Sequence, residues 1–277
     1  MSGAHAVPAT RRGRLRWLAA AVLALLAMLP APVRAQVGVV GSSVEEHDAA
    51  PGTRYEGTLQ LRNFSAEAQP VRIYQTDYRF TADGHSYFDT AGTTPRSNAR
   101  WIVPSTTSIV VPASSDVTLS YVVTVPAGDS LRGSYWSALM IEGAPRAPSA
   151  TSTRQVALGS IVRYAVQIAT HLKTPGTRRV RLTKQGFAPD TAGQPALDMI
   201  VENAGERAYR PLLWVELYDA AGTLRSRTEQ QRGLLYPGCS LRQRFVFGKL
   251  PPGEYKAVVF ADTGDETVLA TQYKLAF

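Results

Sequence analysis

The chain has 277 residues, of which 30 are Lys or Arg, 22 are Asp or Glu, and one is a cysteine, Cys239. A single cysteine excludes an internal disulfide, and the length suits two domains of ordinary size. Residues 1–35 hold five of the basic residues and none of the acidic ones, so the remainder carries 25 − 22 = +3 charges, which argues against a nucleic-acid binder.

The first 35 residues have the pattern of a secretory signal peptide. Residues 1–16 are polar and contain four arginines and no acidic residue, and residues 17–29 form an unbroken apolar run. Cleavage after Ala35 would leave Gln36 as the first mature residue. The apolar run is shorter than the roughly 20 residues that a transmembrane helix needs, so removal is favoured over a membrane anchor. We therefore expect an exported protein in the periplasm or at the cell surface.

Short alternating runs rich in Val, Thr, Tyr and Ile follow residue 36 and predict an all-β chain. The clearest run is Asp116–Val125, in which every second residue from Val117 to Val125 is apolar. Further strands of a first domain, residues 36–172, are predicted at Tyr55–Asn63, Pro70–Phe80, Trp101–Pro104, Ser108–Val111 and Gly133–Glu142.

The last strand predicted in the first domain is Val156–Leu172, which follows a loop rich in Pro, Ala, Ser and Thr at residues 143–153. Strands usually have about 5–6 residues, and a strand longer than its neighbours offers unpaired backbone groups at an edge. Such an edge can accept a strand from a partner, and Arg163 near its middle is a charge that could guard it. The pattern alone favours the alternative, which is a strand that pairs fully within the domain and continues into the linker.

Residues 173–178 have the composition of an interdomain linker. Residues 179–277 repeat the rhythm of short strands, with turn signals about every 8–12 residues. We therefore predict two immunoglobulin-like β-sandwich domains, with a closed barrel as the structural alternative for the second. Its seven strands are predicted at residues 179–184, 196–203, 211–219, 223–230, 241–247, 254–261 and 267–277.

The residue types that catalysis or metal binding needs occur only singly. His47, His85 and His171 are far apart in sequence, and neither a Gly-x-Ser-x-Gly elbow nor a Gly-rich phosphate loop is present. Asp83 and Asp89 flank His85, and the three could act as ligands of a cation, but the Asp-Gly turn signal favours a solvated loop there. We therefore predict a non-enzymatic protein without a cofactor or a metal ion.

Several short motifs of the first domain occur in a recognisable order. They are Leu61-Arg62-Asn63, Trp101 followed by Pro104, Val123-Thr124-Val125-Pro126, Gly133-Ser134-Tyr135-Trp136, and the strand around Arg163. This order resembles the N-terminal domain of the periplasmic pilus-chaperone superfamily, the PapD-like proteins. It resembles more closely still related envelope proteins with immunoglobulin-like domains, such as the WxL-interacting proteins of Gram-positive bacteria. The resemblance covers roughly residues 36–172.

The resemblance implies a mode of action. In the pilus chaperones, the last strand of the first domain completes the fold of an unfinished subunit, and a basic pair in the interdomain cleft holds the subunit's terminal carboxylate. The chain departs from that pattern because Val37–Val44 contains no arginine and the apolar row of the long strand is only partial. The residues that the resemblance assigns to partner binding are Tyr164, Val166 and Ile168, with Arg163 and Lys173 as the basic candidates.

The sequence thus predicts a periplasmic chaperone-like protein that binds a secreted or surface protein subunit by β-strand addition. The alternative is a structural or adhesive module that binds cell-wall glycan or another surface protein, for which Trp101 would supply an aromatic surface. The apolar neighbours Ile102 and Val103 favour a packing role for Trp101 instead. A hydrolase would require His85 or His47 to meet an acid and a nucleophile in space.

Overall fold

The computed structural model describes residues 37–143, 161–174 and 176–276, so the predicted signal peptide and most of the predicted 143–153 loop lie outside the described residues. Ten strands precede residue 173, and a short 3-10 helix, Ala99–Trp101, lies between the fifth and sixth. These strands are β1 (Val37–Val40), β2 (Val44–Ala49), β3 (Arg54–Asn63), β4 (Gln69–Phe80), β5 (Ser86–Thr90), β6 (Ile102–Pro104), β7 (Ser108–Val111), β8 (Asp116–Thr124), β9 (Ser134–Gly143) and β10 (Arg163–Leu172).

Seven strands follow residue 178, in agreement with the number predicted there. Within the described ranges, no helix is long and apolar enough to cross a membrane. The seven strands are β11 (Val180–Pro189), β12 (Pro195–Asn203), β13 (Leu212–Asp219), β14 (Leu224–Gln231), β15 (Ser240–Val246), β16 (Glu254–Asp262) and β17 (Leu269–Ala276).

The strands form two β-sandwiches, which confirms the predicted fold class. In the first sandwich, a sheet with the order β1-β3-β8-β6 faces a sheet with the order β2-β10-β9-β4-β5, and β7 pairs with β4. In the second, a sheet with the order β11-β12-β15 faces a sheet with the order β14-β13-β16-β17.

Each sandwich has its own hydrophobic core, built from alternate residues of its strands. Leu119, Tyr121 and Val123 of β8 lie in the first core, as their alternation in the sequence predicts. The second core contains Leu213, Val215 and Leu217 of β13, among other residues. Alternation therefore places the strand faces correctly wherever the opposite face meets water.

β9 departs from this alternation because both of its faces are covered. Leu139 and Ile141 belong to the first core, whereas Trp136 packs with the second core, where its ring stacks on Tyr236 at a centroid distance of 4.7 Å. A strand that is buried on both faces reads as a continuous apolar run. This explains why residues 133–142 show no alternation.

A buried asparagine closes an equivalent turn in each sandwich, and we call this arrangement the asparagine corner. Asn63 ends β3, and its Nδ2 donates to the carbonyl of Glu67 at 2.7 Å while its Oδ1 accepts from the Ser65 amide at 2.9 Å. Asn203 ends β12, and it makes the equivalent bonds to the Arg207 carbonyl at 2.8 Å and the Gly205 amide at 2.9 Å. The two halves therefore share a local structure that their sequences show only as a turn signal.

Three strands were not predicted from the sequence, namely β1, β2 and β5. The long strand Val156–Leu172 is also shorter in its described part than predicted, because β10 begins at Arg163 and residues 156–160 lie outside the described residues. β10 has 10 residues, the same as its neighbour β9 and fewer than the 12 of β4. Length alone therefore does not distinguish β10 from its neighbours.

Candidate functional site

The outer edge of β10 is only partly covered by another strand. β10 pairs with β9 antiparallel from Arg163 to His171, but it pairs with β2 in parallel only from Gln167 to Leu172. Among the described strands, none pairs with the outer edge of Arg163–Val166. We call this segment the open edge.

The direction of the backbone groups on the open edge follows from the ladder. The Gln167 amide donates to the Ser43 carbonyl at 2.8 Å and the Lys173 amide to the Ala49 carbonyl at 2.9 Å, so odd-numbered residues face β2. The Leu172 amide donates to the Gly133 carbonyl at 2.8 Å, so even-numbered residues face β9. Because backbone groups alternate along a strand, the N–H and C=O groups of Arg163 and Ala165 face the open edge.

The turn between β1 and β2 determines where the open edge ends. β1 pairs with β3 in one sheet, whereas β2 pairs with β10 in the other, so the chain changes sheets at residues 41–43. Gly41 adopts a φ of 106°, which favours glycine, and the Ser42 hydroxyl bonds to both the amide and the carbonyl of Val44. β2 therefore begins too late to cover Arg163–Val166.

The side chains of β10 correct part of the predicted partner-binding set. Val166 is 1% exposed and Ile168 is 0% exposed, because even-numbered residues of β10 point into the first core. Tyr164 is partly buried against the same core, and its hydroxyl lies close to Gly38 of β1. Val166 and Ile168 are therefore not available as an exposed apolar row, and backbone groups are what the edge presents.

Arg163 lies at the open edge and is held by a carboxylate on the neighbouring strand. Its Nε is 2.7 Å from Oε2 of Glu142, to which the Tyr74 hydroxyl also donates at 2.8 Å, and Arg72 donates to Oε1 of the same carboxylate at 3.1 Å. The hydrogen bond from Tyr74, followed by the charges of Arg163 and Arg72, holds the pKa of Glu142 below its usual value. Charged side chains at a strand edge limit unwanted pairing with other chains, and this network places such charges beside the open edge.

Lys173 lies at the opposite end of β10, ten positions from Arg163, or roughly 33 Å along a strand. The two basic candidates that the resemblance assigned to one cleft are therefore not neighbours. The basic residues that do approach the end of β10 come from the second sandwich. Arg207 donates to the Leu172 carbonyl at 2.9 Å, and Arg210 pairs with Glu46 of β2. Their sequence context gave no signal, because they lie 35 or more positions from the strand.

A serine, a histidine and a glutamate meet beside these arginines, although they do not resemble a working hydrolase site. The Ser134 hydroxyl lies 2.8 Å from Nδ1 of His171, and Nε2 of His171 lies 3.1 Å from Glu46. Ser134 is 0% exposed and already accepts from the Ala208 amide of the second sandwich at 2.8 Å. Burial lowers the pKa of His171 despite the raising effect of Glu46. The network therefore joins the two sandwiches.

Of the other candidate residues, His47 and Trp101 pack against neighbouring rings and His85 is exposed to solvent. His47 stacks on Tyr55 with ring centroids 4.5 Å apart, and the exposed His85 lies 3.2 Å from Asp83. Trp101 is partly buried against the first core, with its ring 4.8 Å from that of Tyr135. In the described part of the chain, no group of three or more His, Cys, Asp or Glu residues could hold a metal ion.

No family model matches this chain, and no curated protein sequence matches it. Solved structures with a similar fold include the class 5 fimbriae chaperone CfaA, at 12% identity and a TM-score of 0.45 over 85% of this chain and 98% of that one. The E. coli chaperone DraB is similar at 12% identity and a TM-score of 0.40, over 87% and 98% of the two chains. A chain from the complex of the Salmonella enterica SafA pilin with the SafB chaperone is similar at 13% identity and a TM-score of 0.43, over 88% and 99%.

Proposed function

We propose that this protein is a non-enzymatic, chaperone-like protein of the periplasm or cell surface. It binds an extended segment of an exported protein partner by adding that segment as a strand to β10. The observation that carries the proposal is the open edge, where the backbone groups of Arg163 and Ala165 have no partner strand among the described residues. Main-chain hydrogen bonds to such an edge supply affinity in this mode of recognition.

The backbone alone provides only modest affinity. Arg163 and Ala165 offer two amides and two carbonyls, and each hydrogen bond contributes about 0.5–1.5 kcal/mol net. Apolar side chains beside the edge supply the rest. Phe64 is 58% exposed, and Ile161 and Val162 immediately before β10 are 43% and 37% exposed. Phe64 also lies close to Gly38 of β1, as does the Tyr164 hydroxyl, so the exposed Phe64 ring is near a side chain of the open edge. We therefore expect a partner segment with apolar residues at alternate positions.

In-cell photo-crosslinking tests this proposal. A photoreactive residue at position 163 or 165 should capture one dominant exported partner, because both positions border the open edge. The same residue at Thr118 or Ser120, which are exposed on the opposite sheet, is the matched control and should capture little. Equal capture from all four positions, or none from 163 and 165 with the protein retained on isolated cell wall, would contradict strand addition and favour a surface-binding module.

A proline variant tests the role of the Ala165 amide in binding without removing a hydrogen bond between β10 and β9. Ala165→Pro removes an N–H that faces the open edge, whereas pairing with β9 uses the even-numbered residues. Circular dichroism should be unchanged, and the adducts from position 163 should be lost. Full retention of those adducts in the folded variant would show that the edge amide takes no part in binding.

A further inference from the structure

The second sandwich has a cavity of about 660 Å³ at one end of the sheet β14-β13-β16-β17. It is formed by the end of β13 and its following turn, the start of β16 and the end of β17. No residue of β10 lines it, so it is separate from the open edge. The side chains that matter for its chemistry are Tyr218, Asp219, Glu254, Lys256 and Lys274.

Lys256 and Lys274 stand directly opposite each other in the β16–β17 ladder. Both are exposed, and neither has a carboxylate of the described residues within 4 Å. Like charges at directly opposed positions destabilise a sheet. Other exposed cations of this sandwich do have carboxylate partners, as Arg181 has Glu202 and Arg244 has Asp198. The lysine pair is therefore a local conflict, of the kind that is expected at functional sites.

The nearest acidic side chains leave the cavity with a positive balance. The amide of Thr223 donates to Asp219 at 2.9 Å and, together with Arg225 at 2.7 Å and the Ala221 amide, keeps the pKa of Asp219 below its usual value. With Asp219 and Arg225 cancelling, Glu254 is the one remaining side-chain carboxylate among the described residues of the cavity wall, against the two ammonium groups. The described side chains therefore give a net charge of +1.

Tyr218 gives the cavity a fixed aromatic wall. Its hydroxyl donates to Glu216 at 2.6 Å, and Arg227 lies 3.5 Å from the same carboxylate, so Glu216 is already engaged. The Tyr218 ring lies in register with Lys256, whose Nζ is 5.9 Å from the ring centroid. This cation–π contact helps to orient the Lys256 ammonium group.

We propose that this cavity binds a phosphate group, with the ammonium groups of Lys256 and Lys274 as its two cationic contacts. Lysine binds phosphate as a point charge, and a phosphate that bridges both lysines removes their mutual repulsion. The cavity is several times larger than a phosphate ion, so it has room for the molecule that bears the phosphate, either a soluble compound or a lipid headgroup. This inference is independent of the proposed function of the open edge.

The direct test is to add inorganic phosphate to the purified protein at constant ionic strength. Phosphate should raise the unfolding midpoint of the wild-type protein above that in chloride, and calorimetric titration should give a saturable isotherm. Lys256→Gln or Lys274→Gln should weaken binding about tenfold. Without phosphate, these variants should be at least as stable as the wild type, since each removes one of two opposed charges. Lys249→Gln, an exposed lysine outside the cavity, is the matched control with the same loss of charge.

The proposal is overturned if phosphate has no more effect than chloride on the wild type, or if Lys249→Gln weakens binding as much as the cavity variants do. Co-sedimentation with vesicles then identifies the source of the phosphate group. Binding to phosphatidylglycerol vesicles that depends on Lys256 assigns a lipid headgroup. Phosphate binding without retention on those vesicles assigns a soluble phosphorylated ligand.

Discussion

Gly57 of β3 lies directly opposite Tyr121 of β8, and the ring of Tyr121 occupies the space that a side chain at position 57 would need. Tyr121 is 1% exposed and cannot move away without disturbing the first core. Gly57→Ala should therefore lower the free energy of unfolding by about 1–3 kcal/mol through overpacking. Gly186→Ala is the control, because no atom lies within 4 Å of the added carbon there. Equal urea midpoints for the two variants would contradict this account.

His171 makes stability depend on pH. Its pKa is lowered by burial in the native state, so below the unfolded value of about 6.5 the unfolded chain binds more protons than the folded chain. The free energy of unfolding should then fall as the pH drops below about 6.5, with a slope of at most about 1.4 kcal/mol per pH unit from this group. Glu46, Asp48 and Arg207 are the charged groups that act on this pKa.

Urea unfolding of the wild type and His171→Gln between pH 5.0 and 7.5 checks this dependence. His47 also has a pKa lowered by burial, and its contribution remains in both proteins. The difference between their slopes therefore isolates His171, and the variant should show the shallower loss. Identical slopes would mean that His171 is not held neutral in the fold.

At the scale of the element, the asparagine corners close the turn that follows β3 and the turn that follows β12. Asn203 is 0% exposed and donates to the carbonyls of Arg207 and Leu235. Asn203→Ala leaves these carbonyls without their donor and should cost about 1–3 kcal/mol. Gln272→Ala, on an exposed position of β17, should change stability little. Comparable losses in both variants, measured by urea unfolding, would contradict the role of the corner.

The asparagine corners could be predicted from the sequence only in part. The Asn-Ala-Gly stretch at residue 203 is a visible turn signal, but the carbonyl of Leu235 comes from a segment 32 residues away. β2 is a stronger case, because its sequence VEEHDA shows no apolar alternation. It is a strand because β10 pairs with it and because Glu46 and Asp48 meet Arg210 and Arg207 of the second sandwich. The sequence therefore predicted β10 and the possibility of unpaired backbone groups on it, but not their position, because that position depends on where β2 begins.

At the scale of the whole molecule, the two sandwiches are joined by side chains on the outer face of the β9–β10 sheet. Trp136 stacks on Tyr236, and the Tyr236 hydroxyl donates to Gln167 at 2.8 Å. We propose that the domain boundary lies within residues 173–178, between the end of β10 and the start of β11. The sequence predicted two sandwiches but not this interface, because Trp136 reads as an ordinary core residue of its strand.

Trp136→Ala should weaken that interface. Large aromatic truncations in packed sites cost about 3–5 kcal/mol, and here the loss should uncouple the sandwiches so that calorimetry resolves two transitions. Trp214→Ala removes a partly buried ring that stacks on Phe260 within one sheet, and it is the control. A single transition in the Trp136 variant, shifted no further than in the control, would contradict a coupling role.

The most direct test of the open edge is amide hydrogen exchange on the purified protein, residue by residue along β10. The amides of Arg163 and Ala165 should exchange quickly, because they face an edge without a strand. The amides of Tyr164, Val166 and Gln167 should exchange slowly, because β9 or Ser43 holds them. The captured partner should then protect Arg163 and Ala165. Slow exchange at both amides in the free protein would show that the chain already covers this edge and would contradict strand addition.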